Sequence, residues 1–355
     1  MKTLYTPSEV LLVGSLQADS TEDAFRKVSR LGLRLHSAPD GETGKRSNYI
    51  GWQLNVFPQE TIRLYLGGTE SSDPDLQQFS IQSINPTQYD DAAIESYAMY
   101  TTLRTQQVFP PQVRFQVSFP TPFNCVQGHV RPEFQAALEP LYTARFIESL
   151  KRIVRIIPSA DLAIQFDLCF DVIALEYDKG RLINDQRGPD FFKPHFSPIK
   201  QGLLERLNQV CAELPREVKL GFHLCYGDLR HKHFVESEDL ALLVDLANSI
   251  VNTLSSKHSV DWVHMPVPQN RYDTTYFKPL RNLRLPKGRL YLGLVHAHDE
   301  EGTKARIQTA HEVFGHPFGI ATEYGMGRTP KDDVASILHI LDSVTAPGSM
   351  AARLA

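Results

Sequence analysis

The sequence predicts a single (β/α)8 barrel, an α/β fold in which eight parallel strands alternate with helices. Three observations predict it. Short apolar runs alternate with amphipathic helical stretches, and the pattern repeats eight times. The runs are apolar almost throughout, which is typical of strands buried on both faces of a parallel sheet. The chain has 355 residues, enough for one such barrel, so we treat residues 1–355 as a single domain.

The elements follow one another in a regular order, and each strand ends at turn-forming or polar residues. The predicted strands are 10–13, 33–36, 113–119, 162–167, 218–223, 260–264, 289–295 and 318–322. The helices predicted after them are 22–31, 49–55, 132–157, 199–213, 238–255, 275–281, 302–314 and 331–344. An irregular stretch near residues 58–111 interrupts the order, with a β-like piece at 62–66 and a helix at 91–103. We predict that it is an insertion in the barrel.

An open, doubly wound sheet is the competing interpretation of the same pattern. No GxGxxG or GxxxxGK[ST] motif follows the first predicted strand, which argues against the nucleotide-binding version of that fold.

Charge and composition restrict the class of partner. Lys and Arg number 37 and Asp and Glu 41, a net charge of −4, so we expect no nucleic-acid partner. No apolar stretch approaches the roughly 20 residues of a membrane span, and the N-terminus lacks the apolar core of a signal peptide. Four cysteines are too few for a disulfide scaffold. We expect a cytoplasmic protein with a small-molecule substrate. The sequence does not indicate its oligomeric state.

Polar residues follow nearly every predicted strand. Active sites of such barrels lie at the carboxyl ends of the strands, so this position selects the candidate residues. They are Ser15, Asp40, Glu42, Arg46, Asp167, His223, Cys225, His264, His296, Glu323 and Tyr324.

His223 and Cys225 form the most specific element. Side chains two apart in a strand point to the same side, so an imidazole and a thiolate could bind one zinc ion. A buried histidine beside a packed cysteine is the alternative. Asp167 ends a buried strand, where an unpaired carboxylate is costly. It could bind a substrate amine or form a structural salt bridge.

The turn after the second strand carries Asp40 and Glu42, with glycines that permit a tight turn. The two carboxylates could form an acid/base pair, or they could belong to a solvated turn. Arg46 could bind a substrate carboxylate, or it could be an exposed loop arginine.

Several strand ends resemble those of the catalytic barrel of cobalamin-independent methionine synthase. His223-Leu224-Cys225-Tyr226 resembles its zinc-binding H-x-C-Y motif, and Gln165-Phe166-Asp167 resembles its Q-x-D strand end. The segments 13–16 and 323–328 resemble its V-G-S opening and the end of its last strand. The segments 39–44 and 264–268 resemble a microbial and fungal branch of the methionine synthase and uroporphyrinogen decarboxylase-like superfamily. The resemblance implies a barrel that transfers a methyl group to a zinc-bound thiol, with Asp167 holding an amino-acid substrate.

The departures from that family concern its metal site. Its second zinc cysteine falls on Tyr324 here, and a phenol is a poor substitute for a thiolate. Leu168 stands where the family has a second carboxylate. A zinc site would therefore have to use His223, Cys225 and His264, with Glu323 as a further candidate. In a metal-free pocket Tyr324 could be a general acid or a hydrogen-bond donor, or it could simply pack.

Three functional hypotheses follow. The first is an enzyme of small-molecule metabolism, secondary metabolism included, that performs group transfer or lyase chemistry on a small polar substrate. Asp167, His223, Tyr324 and Glu42 would be catalytic. The substrate would be bound by Ser15, Asp40, Arg46, Glu323 and His296. The second is a zinc-dependent methyltransferase acting on a thiol. The third is a catalytically inactive barrel that binds a ligand.

Overall fold

One parallel sheet organises the protein. The computed structural model describes residues 4–69, 78–228 and 232–347. Seven strands pair side by side in chain order, and every neighbouring pair is parallel. The strands are Ser37–Pro39 (β1), Arg114–Pro120 (β2), Leu162–Leu168 (β3), Lys219–Leu224 (β4), Trp262–Pro266 (β5), Arg289–Val295 (β6) and Gly319–Thr322 (β7).

Helices follow the strands along the chain. In the described residues they are Thr21–Ser29 (α1), Tyr89–Thr105 (α2), Pro122–His129 (α3), Pro132–Ile156 (α4), Cys169–Asp178 (α5), Pro189–Phe192 (α6), Ile199–Cys211 (α7), Ala241–Leu254 (α8), Thr274–Phe277 (α9), Glu300–Phe314 (α10) and Lys331–Ser343 (α11). None of them, within the described part of the chain, combines the length and apolar character that a bilayer crossing requires.

Local sequence explains where several helices begin and end. The Ser20 side chain accepts a hydrogen bond from the Asp23 N–H and caps α1, and Thr121 caps α3 in the same way through Asn124. Helix α10 ends at Gly315, whose φ of 72° lies in the left-handed region that favours glycine.

The sheet curls around a small set of buried side chains. Residues from distant strands meet on its concave face in one cluster: Leu11, Ala163, Trp262, Tyr291 and Ala321. The Gln165 side chain on β3 reaches across this interior, donating to the Val13 carbonyl at 2.6 Å and accepting from Trp262 Nε1 at 3.2 Å. Only a strongly curved sheet brings these groups together.

The segment 9–16, which contains the predicted first strand 10–13, joins the two edges of the sheet. The Val10 N–H donates to the Arg34 carbonyl at 2.8 Å, and the Leu11 N–H donates to the Ile320 carbonyl at 3.0 Å. These are isolated bridges, so the segment is not a regular strand. The predicted second strand, 33–36, is also misplaced, because Gly32–Arg34 is a 3-10 turn and β1 begins at Ser37. The other six predicted strands are found in the described residues as β2 to β7.

Side chains explain why that segment is irregular. The Leu12 and Val13 carbonyls accept hydrogen bonds from the amide of Gln116, and Val13 also accepts from Gln165 and Ser118. In a regular strand these carbonyls would accept hydrogen bonds from backbone amides of a neighbouring strand. Here they accept them from side chains on the concave face of the sheet.

The predicted insertion contains mainly short 3-10 turns and one long helix, α2. The β-like piece predicted at 62–66 is wrong, because Ile62 makes a single antiparallel bridge with Val130 and Leu64–Leu66 is a 3-10 turn. Residues 70–77 of the insertion lie outside the described residues. Sequence reasoning also missed helices α3 and α5. They begin almost directly at the ends of β2 and β3, so no polar linker in the sequence separates strand from helix.

Candidate functional site

A cavity lies at the carboxyl end of the sheet, where the sequence predicted the site. The space within it, open solvent at its mouth included, is about 560 Å³. Six predicted residues line it: Ser15, Glu42, Asp167, His223, Cys225 and Tyr324. They come from five separate segments of the chain, so the fold, not the sequence order, brings them together.

A second cavity adjoins the first, with about 470 Å³ of space when open solvent at its mouth is included. Glu42, Tyr49 and Asp167 line both cavities. The second cavity contains Asp40 and Arg46. The Arg46 guanidinium donates to Asp40 Oδ2 at 2.7 Å, and the Ser96 hydroxyl donates to the same oxygen at 2.6 Å. Asp40 and Arg46 therefore neutralise each other at the wall of this cavity.

Asp167 is held by a chain of hydrogen bonds that starts inside the sheet. Gln165 Nε2 donates to Asp167 Oδ1 at 2.8 Å, and the Trp262 indole in turn holds Gln165. Burial raises the pKa of Asp167 to about 7, although the nearby His223 and the Gln165 hydrogen bond act in the opposite direction. The carboxyl group can thus exchange a proton near neutral pH.

Glu42 stands beside Asp167 in a strained turn. Its φ of 48° is unusual for a residue with a side chain, and its N–H donates to Asp40 Oδ1 at 2.9 Å. Burial, followed by the charges of Asp167 and Asp40, raises the pKa of Glu42 to about 8. Gly14 makes room for this carboxyl group, because a Cβ at that position would lie 2.8 Å from Glu42 Oε1.

His223 and His264 meet behind the cavity. Their Nδ1 atoms are 2.6 Å apart. Burial and the charge of His223 hold the pKa of His264 well below its usual range, so His264 is neutral and accepts the proton of His223 Nδ1. The pKa of His223 is raised despite its burial, because the Cys225 thiol and Asp167 favour the imidazolium form.

Two cysteines lie side by side on the wall of the first cavity. Hydrogen bonding with the Cys169 thiol, together with His223, lowers the pKa of Cys225 well below its usual range, despite burial. The Gly227 N–H also donates to Cys225 Sγ at 3.2 Å. The same pairing with Cys225 raises the pKa of the Cys169 thiol, so one cysteine is the thiolate and the other its hydrogen-bond donor.

Glu323 and His296 do not line either cavity. Glu323 Oε1 lies 3.1 Å from His233 Nε2, and Glu323 Oε2 lies 3.9 Å from His296 Nδ1. Burial lowers the pKa of His233, but Glu323 outweighs it and raises the value to about 9. Glu323 therefore forms an ion pair with the loop that follows β4.

The segment after β7 forms the remaining wall. Tyr324 faces the cavity, and burial raises the pKa of its phenol well above the usual value. Arg328 also lines the cavity and donates to Asp228 Oδ2 at 2.7 Å. The phenol keeps its proton at neutral pH and can donate a hydrogen bond to a ligand.

The predicted zinc ligands do not form one complete set. His223 contacts both His264 and Cys225, and Cys225 also contacts Cys169 and Gly227. Glu323 faces two other histidines. Over residues 4–69, 78–228 and 232–347, no group of three His, Cys, Asp or Glu side chains is arranged to hold a metal ion. In this arrangement the donor set does not fit the four-ligand zinc site, and zinc binding stays a prediction.

Sequence reasoning missed five residues of the cavity with polar or thiol side chains. They are Ser47, Tyr49, Cys169, Asp228 and Arg328. Cys169 carried a usable signal, because it follows the end of a predicted strand as Cys225 does. Tyr49 carried none, since its φ of 38° and its place between the two cavities depend on the path of the loop after β1.

Comparison with solved structures identifies the architecture. A B12-independent methionine synthase from Shewanella sp. W3-18-1, in complex with selenomethionine, matches 99% of this chain and 98% of its own, with 14% identity and a TM-score of 0.56. The chain shares the fold of this enzyme. A protein assigned as a vitamin-B12-independent methionine synthase in Listeria monocytogenes matches 97% of this chain and 100% of its own, with 13% identity and a TM-score of 0.52.

At these identities the likeness shows the fold alone. No protein-family model matches the chain, and no curated protein matches it by sequence.

Proposed function

We propose that the protein is a group-transfer enzyme that binds a small, amine-bearing polar molecule in the cavity at the carboxyl end of the sheet. One observation carries the proposal: a thiol, an imidazole and two carboxyl groups face the same cavity, from Cys225, His223, Asp167 and Glu42. Group transfer requires, within one pocket, groups that donate and accept protons and a nucleophile that attacks the transferred group.

Asp167 is the proposed anchor for the substrate ammonium group. Its pKa of about 7 means that it is partly protonated in the free protein. A bound cation favours the carboxylate, so binding releases a proton and tightens as the pH rises from 6 to 8.

Glu42 is the proposed proton carrier. With a pKa of about 8 it holds a proton at neutral pH and can give it to a leaving group. Cys225 is the proposed nucleophile, beside the His223 imidazolium. Its sulfur would form a bond to the transferred carbon while the leaving group departs with its electron pair and the Glu42 proton. An acceptor nucleophile would then take the group and release the thiolate.

Sulfur-containing amino acids are the substrate class to try first. The Shewanella enzyme binds selenomethionine and shares this fold, which supports the choice without deciding it. The useful probes are L-methionine, L-homocysteine and the isosteric, sulfur-free L-norleucine.

Calorimetric titration of these amino acids tests the proposal. We expect L-methionine and L-homocysteine to bind, and Asp167→Asn to weaken binding about 10- to 100-fold, the effect of losing a charged hydrogen bond worth roughly 1.5–3 kcal/mol. Asp245→Asn, an exposed change on α8, is the matched control and should bind like the wild type. Equal affinity in wild type and Asp167→Asn would reject Asp167 as the anchor. If none of the three probes binds, the substrate class is rejected.

A zinc-dependent methyltransferase acting on a thiol is the second candidate. The observation that favours it is the pair of donor side chains, His223 and Cys225, side by side on the cavity wall. Metal analysis of the purified protein separates the two candidates. Less than about 0.1 zinc per chain would reject the zinc enzyme, because a true thiolate site binds zinc tightly.

We also infer that the sheet is a closed (β/α)8 barrel in which the segment 9–16 takes the place of the eighth strand. The hydrogen bonds of Val10 and Leu11 to opposite edges of the sheet support this.

A further inference from the structure

Cys169 and Cys225 lie directly beyond the paired ends of two neighbouring strands. Leu168 of β3 is in register with Leu224 of β4, and the Cys225 N–H donates to the Leu168 carbonyl at 3.2 Å. The two cysteines follow this last pair, Cys169 as the first residue of α5, and their side chains are hydrogen-bonded to each other. Neighbouring strands lie about 4.8 Å apart, and disulfides join Cα atoms roughly 4.4–6.8 Å apart.

Both thiols also open onto the cavity. Cys169 and Cys225 line it, are 5% and 8% exposed, and are free. Cys125 and Cys211 are fully buried, and neither lines the two cavities at the carboxyl end of the sheet. Of the four cysteines, only the adjacent pair can thus meet a reagent that enters from the mouth.

We propose that Cys169 and Cys225 form a reversible dithiol–disulfide pair, a modification site whose oxidant is a small disulfide entering the cavity. This proposal does not depend on the transfer reaction. Cys225 is the residue that attacks the disulfide first, because the Gly227 N–H already donates to its sulfur and orients it. A cationic disulfide suits a cavity that contains the carboxyl groups of Glu42 and Asp167.

The exchange balances in two steps. Cys225 sulfur bonds to one sulfur of the disulfide, and the other sulfur leaves as a thiol with a proton. Cys169 sulfur then attacks Cys225 sulfur, and the second half of the reagent leaves as a thiol with the remaining proton. The protein loses two hydrogens and the reagent gains them. The product has no free Cys225 thiol, so any reaction that needs this thiol stops until a dithiol reductant reverses the link.

The test uses cystamine, a small disulfide with two amine groups, on the native full-length protein in the presence of a chelator. After reaction, the excess reagent is removed and the protein is denatured in the presence of an alkylating agent, which blocks the remaining thiols as they become exposed. Peptide mass spectrometry follows. We expect two of the four thiols to be lost, a peptide pair joined through Cys169 and Cys225, and full recovery with dithiothreitol.

Four variants sharpen the result. Cys125→Ser and Cys211→Ser should keep the internal link. Cys225→Ser should lose it, and Cys169→Ser should stop at a cysteamine adduct on Cys225. Four unreacted thiols in the wild type would overturn the proposal. So would cysteamine adducts without an internal link, or a link between any other pair. Each of these outcomes is read from peptide masses. None of them depends on whether the proposed transfer reaction occurs, which is tested separately.

Discussion

Asp167 and Glu42 have unusual acidity because protein surrounds them on most sides. Water normally stabilises a carboxylate, and burial removes that stabilisation, so the proton is retained to higher pH. In Asp167 the hydrogen bond from Gln165 compensates only in part, and in Glu42 two neighbouring carboxyl groups add to the effect. The same two residues line both cavities, so their protonation controls the charge of the whole site.

The raised pKa of Asp167 predicts how stability depends on pH. Between the unfolded pKa of about 4 and the folded pKa of about 7, the folded protein holds a proton that the unfolded chain has lost. Stability contributed by this group is therefore complete below about pH 4 and falls by up to about 1.4 kcal/mol per pH unit as the pH rises through that range.

Asp167→Asn removes this titration. In urea unfolding at pH 5 and pH 8, we expect the free energy of unfolding of the variant to fall less than that of the wild type. The exposed variant Asp245→Asn should follow the wild type. If Asp167→Asn has the same pH dependence as the wild type, Asp167 does not titrate in this range.

Site residues at strand ends could be predicted from the sequence. Site residues whose position depends on the path of a loop could not. Asp167, His223 and Cys225 were predicted because the order of strands and helices alone places the ends of parallel strands together. The pairing of Cys169 with Cys225 depends on strand register, which the sequence pattern does not specify. Tyr49 depends on a turn with positive φ.

At the scale of elements, neighbouring strands pack a large side chain against a glycine. Gly221 on β4 is in register with Trp262 on β5, and a Cβ at Gly221 would lie 1.8 Å from the indole ring. The indole also holds Gln165, which holds Asp167. Packing inside the sheet and the position of the Asp167 carboxyl group are thus coupled.

Gly221→Ala tests this packing. We expect it to destabilise the protein by roughly 1–3 kcal/mol, as overpacking of a core does, measured by urea unfolding. Combined with Trp262→Leu, the loss should be smaller than the sum of the two single losses, because the smaller side chain leaves room for the methyl group. Additive losses would show that the two residues do not compete for the same space.

The eight-unit pattern predicted most elements but not the exact form of the first strand. Most elements lie close to their predicted positions, because the local hydrophobic pattern of a long periodic run determines its secondary structure. These elements are strands β2 to β7 and helices α4, α7, α8, α10 and α11. The segment 9–16 is decided by side chains from elsewhere, Gln116 and Gln165, whose hydrogen bonds no local pattern contains.

At the scale of the whole molecule, the segment 9–16 holds the two edges of the sheet together. The Ile320 N–H donates to the Glu9 carbonyl at 3.0 Å, and Glu9 also pairs with Arg289 and accepts from Tyr291 at 3.1 Å. A closed sheet has no exposed edge, and its mouth keeps its shape. That the whole chain is one domain stays a prediction.

Hydrogen exchange measures this closure. The amides of Leu11 and Ile320 should be protected as strongly as those in the middle of β3, because their hydrogen bonds open only when the sheet does. Exchange at the rate of an exposed loop would contradict the closed barrel and favour an open sheet with a loosely attached segment.

The central claim is that the cavity between Asp167 and Cys225 binds a small amino acid, and anomalous diffraction from crystals soaked with L-selenomethionine tests it directly. We predict one strong selenium peak inside the cavity lined by Ser15, Asp167 and Tyr324, with the amine near Asp167. Crystals of Asp167→Asn soaked at the same concentration should show a clearly weaker peak. Well-measured data without a selenium peak in that cavity, or with the peak elsewhere, would contradict the account.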